Sequence, residues 1–319
     1  MKFTVFLFFV CLAFATDYEM IARKVNSMNT TWKAAPVTSK RDYRQLVGVL
    51  PGGPKLPIKS YKKENVVIPE HFDLREEWPN CKSIGEIRDQ ANCGDCWALA
   101  AASAASDRIC IATNGTSQPR LSAMNLATCC EFCMNGCHGG YTPHAWTALS
   151  YYGAVTEGEY GSDEGCVMYP LPKCNHFETS SEYPDCTATI DTPVCSRECR
   201  DSYPKSYDDD KHYFKDGYLL DTVEDMQIDI MKHGSIEVTI QVCDDFITYR
   251  SGVYQHVTGE VYGGHAVRVI GWGVENDVPY WIVMNSWNEG WGDHGTIKML
   301  RGQDECIIEE QAVAGVPII

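Results

Sequence analysis

Long apolar runs are missing from this 319-residue sequence after its first 15 residues, and no segment of it repeats. A transmembrane helix needs about 20 consecutive, mostly apolar residues, so we expect no membrane span. The exception at the start covers residues 3–14, follows Lys2 and ends in Ala13-Phe14-Ala15. This pattern predicts a secretory signal peptide over residues 1–15, because the run is too short for a membrane anchor.

Positive charge is scarce in most of the chain. The net charge is −16, yet residues 16–66 contain ten Lys and Arg against four Asp and Glu, a net +6. With Lys2 also counted, residues 67–319 carry −23, which argues against a nucleic-acid partner. A basic N-terminal segment beside an acidic body predicts an attraction that weakens as carboxylates become protonated. The alternative, that the acidity only aids solubility, stays open.

The sixteen cysteines indicate an oxidising compartment. Loss of Cys11 with the signal peptide leaves fifteen, and setting Cys96 aside leaves fourteen, an even number that is typical of secreted proteins. Spacing alone does not give their pairing. The spacing Cys129-Cys130-x-x-Cys133-x-x-x-Cys137 also resembles a metal-ligand set, but an oxidising compartment disfavours zinc. We expect no metal and no cofactor.

Cys96 precedes a helix-forming run over residues 98–105. A cysteine at a helix N-terminus meets unpaired backbone N–H groups and the positive end of the helix dipole, and both favour the thiolate. Asp95 has the N-cap position and is predicted to accept a hydrogen bond from the first turn. An isolated cysteine is more often structural, but His265 and Asn285 follow as a candidate base and a group that orients it.

The motif Cys93-Gly94-Asp95-Cys96-Trp97, followed by His265 and Asn285, resembles the papain family of cysteine proteases. Residues 68–319 resemble its cathepsin B-like members in particular. The stretches that carry this resemblance include Ser106–Cys110, Cys137–Tyr141, Ser251–Glu260, Gly271–Asn276 and Leu300–Asp304. So many matches over a whole domain are hard to produce by chance.

The resemblance implies an α+β, papain-like fold of two lobes with the active-site cleft between them. The helical left lobe is expected over about residues 81–200 and a β-barrel-like right lobe over about 205–319. A propeptide over residues 16–66 would precede a mature peptidase over residues 67–319, with its start within residues 65–69. Sequence patterns agree, because residues 18–26, 121–127 and 143–149 are typical of helices, and residues 236–240, 265–270 and 280–284 of strands.

The resemblance also assigns roles to individual residues. Cys96 would be the nucleophile, His265 the general base and then acid, and Asn285 the group that orients the imidazole, shielded by Trp287. The side chain of Gln90 and the backbone N–H of Cys96 would form the oxyanion hole. The substrate-binding residues would be Gly139, Gly140, Gly264, His176 and Gln311.

The same resemblance implies six disulfide bonds. The expected pairs are Cys81–Cys110, Cys93–Cys137, Cys129–Cys195, Cys130–Cys133, Cys166–Cys199 and Cys174–Cys186. Cys243 and Cys306 would remain free, and the resemblance suggests no role for Cys243.

Two sites near the expected cleft, one at Asp95 and one in a substrate pocket, depart from the family pattern. Asp95 replaces a small residue, and its negative charge is expected to raise the pKa of Cys96 and to slow its reaction near neutral pH. Gln311 replaces an acidic residue of the pocket that accepts Arg two residues before the cut, so Arg there should lose a partner. Ile307 replaces a usual Gly nearby and is expected to narrow this pocket.

A third departure lies in residues 174–186, which resemble the occluding loop of cathepsin B-like proteases. Two adjacent histidines of that loop hold the C-terminal carboxylate of a substrate, but Phe177 stands beside His176 here. His176 is expected to pair with Asp89, while the family's Arg–Asp latch is missing, with Gly290 at the Asp position. We expect a more mobile loop and a gain of endopeptidase over dipeptidyl carboxypeptidase activity.

These observations predict a cysteine endopeptidase of the secretory pathway, lysosomal or extracellular, with the gut lumen as one setting. We expect a monomeric proenzyme that cleaves peptides or proteins and binds its own propeptide and cystatin-like inhibitors. Sequons predict glycosylation at Asn29 and Asn114. A protease-fold protein that binds peptides or inhibitors but cuts poorly stays open, as does a purely structural disulfide-rich secreted protein.

Overall fold

The structure, a computed structural model, describes residues 16–39, 41–133, 135–177 and 182–319, which contain seven α-helices and eleven β-strands. The predicted signal peptide, residues 1–15, lies outside them. The helices are α1 (Tyr18–Ser27), α2 (Leu74–Glu77), α3 (Cys96–Ala112), α4 (Ala123–Cys129), α5 (Thr142–Tyr151), α6 (Val223–His233) and α7 (Asp244–Ile247). The strands are β1 (Trp32–Ala34), β2 (Phe72–Asp73), β3 (Glu157–Gly158), β4 (Val167–Met168), β5 (Tyr218–Leu220), β6 (Ile236–Cys243), β7 (Tyr249–Tyr254), β8 (Val261–Glu275), β9 (Val278–Met284), β10 (Thr296–Leu300) and β11 (Ala312–Ala314).

Helix α3 forms the centre of the helical half of the molecule. Nearly all of its side chains are buried, and its alanines allow α4 and α5 to pack against it while β8 contacts it from the other half. A helix without a polar face is expected in such an interior position. The helices predicted from the sequence at α1, α4 and α5 are confirmed.

One open sheet forms the other half. Its strand order is β1-β7-β10-β9-β8-β6-β11-β5, with β2 added beside β8, and its pairs are antiparallel except that of β10 with β7. The expected strands at β6, β8 and β9 are confirmed. The closed, barrel-like form expected for this lobe is not found, because β1 and β5 lie at opposite ends of the strand order and the sheet stays open.

The N-terminal segment, residues 16–66, covers both ends of this sheet. Strand β1 belongs to it and pairs with β7, and Ile58 pairs with Leu219 of β5. Unpaired strand edges expose backbone N–H and C=O groups, and a segment that pairs with both edges satisfies them. The segment is therefore built into the fold of the described protein.

Side-chain contacts also hold this segment in place. The indole N–H of Trp32 donates to the carbonyl of Gln255 at 2.9 Å, and the hydroxyl of Tyr61 donates to Asp229 at 2.8 Å. Lys59 lies 3.3 Å from the same carboxylate of Asp229. These contacts mix hydrogen bonds, burial and charge, so the attraction predicted from net charge alone is only one contribution to docking.

Six disulfide bonds stabilise the described residues, and they join the six pairs that the resemblance implies. Cys96, Cys243 and Cys306 are free thiols. Both sequon asparagines, Asn29 and Asn114, are exposed, and their glycosylation stays a prediction. Within the described ranges, no helix combines the length and apolar character needed to cross a membrane.

Candidate active site

Cys96 lies at the junction of the two halves. It is the first residue of α3, and its Sγ accepts a hydrogen bond from the backbone N–H of Ala266 in β8 at 3.5 Å. The thiol is therefore held against the strand position next to His265. Cys96 is fully buried, and this burial raises the pKa of the thiol to about 12. The predicted effect of the helix dipole is outweighed in this covered state.

His265 is oriented by Asn285. The Nε2–H of His265 donates to Oδ1 of Asn285 at 2.7 Å, which leaves Nδ1 without a proton in the neutral ring. Trp287 packs beside the imidazole with ring centroids 4.9 Å apart. His265 is fully buried, and burial lowers its pKa to about 4. Imidazole and thiol are both neutral between these two pKa values, so the thiolate–imidazolium pair is not formed here.

Gln90 points its side-chain amide into the same cleft. Its Oε1 accepts hydrogen bonds from the hydroxyl of Ser286 at 2.9 Å and from the indole N–H of Trp287 at 3.0 Å. This fixes the NH₂ group, which donates to the carbonyl of Leu46 at 3.1 Å. A buried donor with a fixed direction is suited to receive a developing oxyanion.

The N-terminal segment crosses this cleft as an extended chain. The N–H of Val49 donates to the carbonyl of Gly264 on one wall, and the N–H of Leu50 donates to that of Gly140 on the other, both at 3.0 Å. The N–H of Gly140 in turn donates to the carbonyl of Gly48 at 2.9 Å. Two predicted substrate-binding glycines therefore face each other across bound backbone.

Gly48 and Gly139 permit the close approach of the two chains. A Cβ on Gly48 would lie 1.9 Å from the carbonyl oxygen of Gly94 and 3.3 Å from Sγ of Cys96. Gly139 has φ +109°, which side chains rarely adopt, and a Cβ there would lie 3.0 Å from the carbonyl oxygen of Gly48. The segment thus passes directly over the thiol.

Asp95 takes the N-cap position of α3, as predicted, but the predicted hydrogen bond from the first turn to its side chain is wrong. Its carboxylate makes no hydrogen bond to the first turn and instead contacts the hydroxyl of Tyr169 at 3.1 Å. The side chain is fully buried, and burial raises its pKa well above the usual range. A protonated carboxyl carries no charge, so its expected repulsion of the Cys96 thiolate is absent in acid.

His176 pairs with Asp89 as predicted, with 2.7 Å between Nε2 and Oδ1. Its other ring nitrogen, Nδ1, accepts from the guanidinium of Arg41 in the N-terminal segment at 3.0 Å. Nε2 must then carry the proton that is donated to Asp89, and the ring is neutral. Burial also lowers the pKa of His176.

Phe177, the residue beside His176, is buried in an aromatic cluster. Its ring lies 6.0 Å from that of Tyr43 and 6.3 Å from that of Trp287. The carbonyl of Phe177 accepts the backbone N–H of Thr38 at 2.9 Å. The described part of the loop is therefore bound to the N-terminal segment. Residues 178–181 lie outside the described residues, so the predicted mobility of the loop stays a prediction.

Gln311 lies just before β11 and contacts Thr239 of β6, which pairs with Ala266 beside His265. Its Oε1 accepts from the hydroxyl of Thr239 at 3.4 Å. In the preceding turn Ile307 has φ +62°, an outlier for a branched side chain and a conformation that Gly adopts without strain. The backbone at Ile307 is therefore strained in this turn.

Sequence reasoning missed several residues of the site. Ser286 orients Gln90, Tyr169 contacts Asp95, and Arg41 binds His176, and none of these residues has a local motif. Gly48 had a usable signal, because a single Gly between Val47 and Val49 in an extended segment indicates a close backbone approach.

Residues 68–316 match the family model described as papain family cysteine protease. The match covers more than half of the chain and includes Cys96, His265 and Asn285. The chain therefore belongs to the papain family of cysteine proteases.

Its relatives narrow this class. The cathepsin B-like cysteine proteinase of Schistosoma japonicum is 47% identical over 262 residues, which are 82% of this chain and 76% of that protein. Cathepsin B-like cysteine proteinase 4 of Caenorhabditis elegans is 42% identical over 308 residues, 94% of this chain and 92% of that protein. The chain is thus a cysteine protease similar to cathepsin B-like members of the family.

A solved structure extends the similarity to the N-terminal segment. ProCathepsin B S9 from Trypanosoma congolense superposes with a TM-score of 0.81 at 33% identity, covering 95% of this chain and 100% of that one. The proform of the ragweed pollen cysteine protease Amb a 11 superposes with a TM-score of 0.68 at 20% identity and shows the shared fold. The described fold is that of a papain-like proform.

Proposed function

We propose that this chain is the inhibited precursor of a peptidase in which Cys96 attacks peptide carbonyls with help from His265, Asn285 and Gln90. One observation carries the proposal: the Cys96 thiol, the His265–Asn285 pair and the Gln90 amide meet in one buried cleft. A structural thiol needs no oriented imidazole and no fixed amide donor beside it.

The reaction is an acyl transfer. Cys96 gives its proton to Nδ1 of His265, while the Nε2–H group of the imidazole keeps its hydrogen bond to Asn285. The resulting thiolate attacks the carbon of the peptide carbonyl. The oxygen that becomes negative is received by the amide of Gln90 and the backbone N–H of Cys96. His265 then protonates the leaving amine, and water hydrolyses the thioester to release the acid.

Residues 16–66 act as the inhibitor in this proposal. The segment fills the cleft with backbone on both walls, and its Leu46 carbonyl occupies the amide of Gln90. Activation removes it by a cut within residues 65–69 and leaves the mature peptidase, residues 67–319. Peptide or protein substrates then pair with Gly140 and Gly264, with Gly139 allowing their close approach.

A labelling experiment tests the assignment. After acid activation, an epoxide inhibitor is expected to modify Cys96 stoichiometrically and to abolish turnover of a dipeptide amide. Cys96→Ser should lose both labelling and turnover, whereas the matched variant Cys243→Ser should keep both. Labelling without turnover would favour a protein that binds peptides or inhibitors but cuts poorly, and absence of selective labelling would favour a structural protein.

We further propose that endopeptidase activity exceeds dipeptidyl carboxypeptidase activity. The ring nitrogens of His176 are occupied by Asp89 and Arg41, and the side chain of Phe177 has no donor for a carboxylate. After removal of the propeptide, His176 alone would face a substrate's C-terminus.

Matched peptides test this preference. A C-terminally amidated peptide and its free acid should be cleaved at similar rates, and Phe177→His should shift the ratio toward the free acid. A strong free-acid preference of the unsubstituted enzyme contradicts the proposal. We also propose passage through the secretory pathway to a lysosome or the extracellular space, such as a gut lumen, as a monomer open to cystatin-like inhibitors.

A further inference from the structure

Two free cysteines, Cys243 and Cys306, lie in neighbouring elements far from Cys96 in the sequence. Cys243 is the last residue of β6, and Cys306 lies in the turn Glu305–Ile307. Both thiols lie beside the same two residues. Cys306 Sγ lies 3.3 Å from Oε1 of Glu305, which accepts the backbone N–H of His256 at 2.9 Å, and Cys243 Sγ lies within 4.8 Å of a ring nitrogen of His256. Cys243 is 2% exposed, whereas Cys306 is half-buried. The other twelve described cysteines outside the active site already form six disulfide bonds. Each of these two thiols therefore has only the other as a free disulfide partner outside the active site.

Charged groups surround this pair asymmetrically. Cys243 Sγ lies within 4.8 Å of a carboxylate oxygen of Asp245 and of a ring nitrogen of His256. The Asp245–His256 hydrogen bond measures 2.9 Å. On the other side, the thiol of Cys306 donates to Glu305 at 3.3 Å. The contact with Cys306 lowers the pKa of Cys243, and the reciprocal contact raises that of Cys306.

We propose that Cys243 and Cys306 form a seventh, reversible disulfide bond that ties the end of β6 to the turn before Gln311. The oxidant is a small-molecule disulfide of the compartment in which the other six bonds form. Cys306, the more exposed thiol, first exchanges with it, which yields a mixed disulfide and one free small thiol. The Cys243 thiolate then attacks the Cys306 sulfur and displaces the second small thiol.

The exchange is balanced. The two protein S–H bonds and the S–S bond of the oxidant break, and one protein S–S bond and two S–H bonds of the small thiols form. The two cysteines lose two electrons, and the small disulfide gains them. A mixture of the reduced and oxidised small thiol therefore sets the fraction of protein that is linked.

The position of the bond gives it a consequence. Cys306 and Ile307 have φ +51° and φ +62°, so the turn is strained before any link forms. Gln311 follows this turn and accepts the backbone N–H of Thr239 in β6 at 3.4 Å. A disulfide bond from Cys306 to Cys243 at the end of β6 would attach the turn Glu305–Ile307 to this strand. The Thr239–Gln311 hydrogen bond already attaches the residues after the turn to the same strand. This consequence rests on the proposed peptidase function, because it concerns the pocket assigned to Gln311.

The test uses the proform with Cys96→Ser, so that neither self-cleavage nor the active-site thiol interferes. The protein is equilibrated with mixtures of reduced and oxidised glutathione, quenched in acid, alkylated and mapped without reduction. We expect a peptide that links Cys243 to Cys306 and a concerted loss of alkylation at both residues. In Cys243→Ser, the same mixtures should leave Cys306 as a mixed disulfide with glutathione.

Two results would overturn the disulfide: full alkylation of both cysteines in the most oxidising mixture, or a linked peptide only after unfolding. Zinc retained by the reduced proform and lost in Cys243→Ser would instead assign the cluster to a metal. Activity is a separate readout, made on the activated enzyme with Cys96 intact. Linking should change KM with little change in kcat, and an unchanged KM in linked enzyme would overturn the consequence for the pocket alone.

Discussion

The side-chain amide of Gln90 donates a hydrogen bond to the carbonyl oxygen of Leu46 at 3.1 Å. The donor that the proposed mechanism assigns to the oxyanion is thus engaged by the propeptide. The same segment places Gly48 against the thiol and pairs with both cleft walls. Inhibition in this arrangement depends on backbone geometry more than on any single charged contact.

Gln90→Glu tests the amide donor. The change keeps an oxygen for Ser286 and Trp287 but replaces the NH₂ donor by a second oxygen. We expect kcat of the activated enzyme to fall by about 10²- to 10³-fold, as for loss of one oxyanion donor. Initial rates on a dipeptide amide measure this. Gln118→Ala, at an exposed residue, is the control. A fall in kcat of less than threefold in Gln90→Glu would mean that Gln90 is not part of the oxyanion hole.

Gly48→Ala tests the close approach over Cys96. The added methyl meets the carbonyl of Gly94 at a distance that no Cβ tolerates, so the propeptide must shift. Overpacking of 1–3 kcal/mol corresponds to a propeptide held roughly 5- to 150-fold less tightly. We therefore expect the proform to activate faster near neutral pH. The rise of substrate turnover with time measures the rate of activation.

Gly85→Ala is the matched control for that substitution. Gly85 is exposed, lies outside the cleft, and has open space where its Cβ would be. It should activate like the unsubstituted proform. Unchanged activation of Gly48→Ala would mean that the segment does not cross the thiol as described.

The sequence predicted the local parts of this site better than the assembled ones. Helix-forming residues after Cys96, and alternating apolar residues around His265 and before Asn285, are properties of neighbouring residues, so the corresponding elements could be assigned. Asp95 takes the predicted N-cap position, but its predicted capping hydrogen bond is missing because a buried partner, Tyr169, competes for the carboxylate, and that partner lies 74 residues away. No local rule contains such a contact.

Sheet closure was beyond the sequence for a similar reason. Whether β1 and β5 meet depends on how many strands intervene and how strongly the sheet twists, and neither follows from alternation within a strand. The placement of Gly48 and Leu46 over Cys96 likewise depends on the path of the whole N-terminal segment. The disulfide pairs were obtained from the family resemblance and not from spacing.

Acid should favour release of the propeptide through buried histidines. Burial lowers the pKa of His265 to about 4, and it also lowers that of His176. A histidine freed by release regains a pKa near 6.5, so the released form binds more protons between about pH 6.5 and 4. Docking is therefore favoured above this window and weakens as the pH falls through it.

Hydrogen exchange measures this effect in the Cys96→Ser proform. The amides of Val49 and Leu50 bond to the cleft walls, and their protection, corrected for intrinsic exchange, should fall between pH 6.5 and 4. His265→Gln should reduce the slope. His71→Gln, at a half-exposed residue outside the cleft, should not. Constant protection across the window would exclude histidine-linked release.

Asp95→Asn should change the reactivity of Cys96 in the activated enzyme only at higher pH. Burial keeps Asp95 protonated in acid, where an amide of the same shape is electrostatically equivalent. As Asp95 ionises, its charge raises the pKa of Cys96, and the variant lacks this effect. Across a pH series, alkylation by iodoacetamide should occur at equal rates in both enzymes at the acid end and faster in the variant at the alkaline end. A faster variant at the acid end would show that the carboxyl is already charged there.

Gln311→Glu should restore acceptance of Arg two residues before the cut. The side chain is partly exposed, so a new ion pair with a substrate Arg is worth about 0.2–1 kcal/mol, and kcat/KM for Arg relative to Phe should rise about 1.4- to fivefold. Cleavage of a paired set of peptides that differ only at this position measures the ratio. Gln303→Glu adds the same charge at an exposed residue of the neighbouring turn and should leave the ratio unchanged. An equal rise in both variants would assign the effect to net charge, and no rise in Gln311→Glu would mean that Gln311 does not line this pocket.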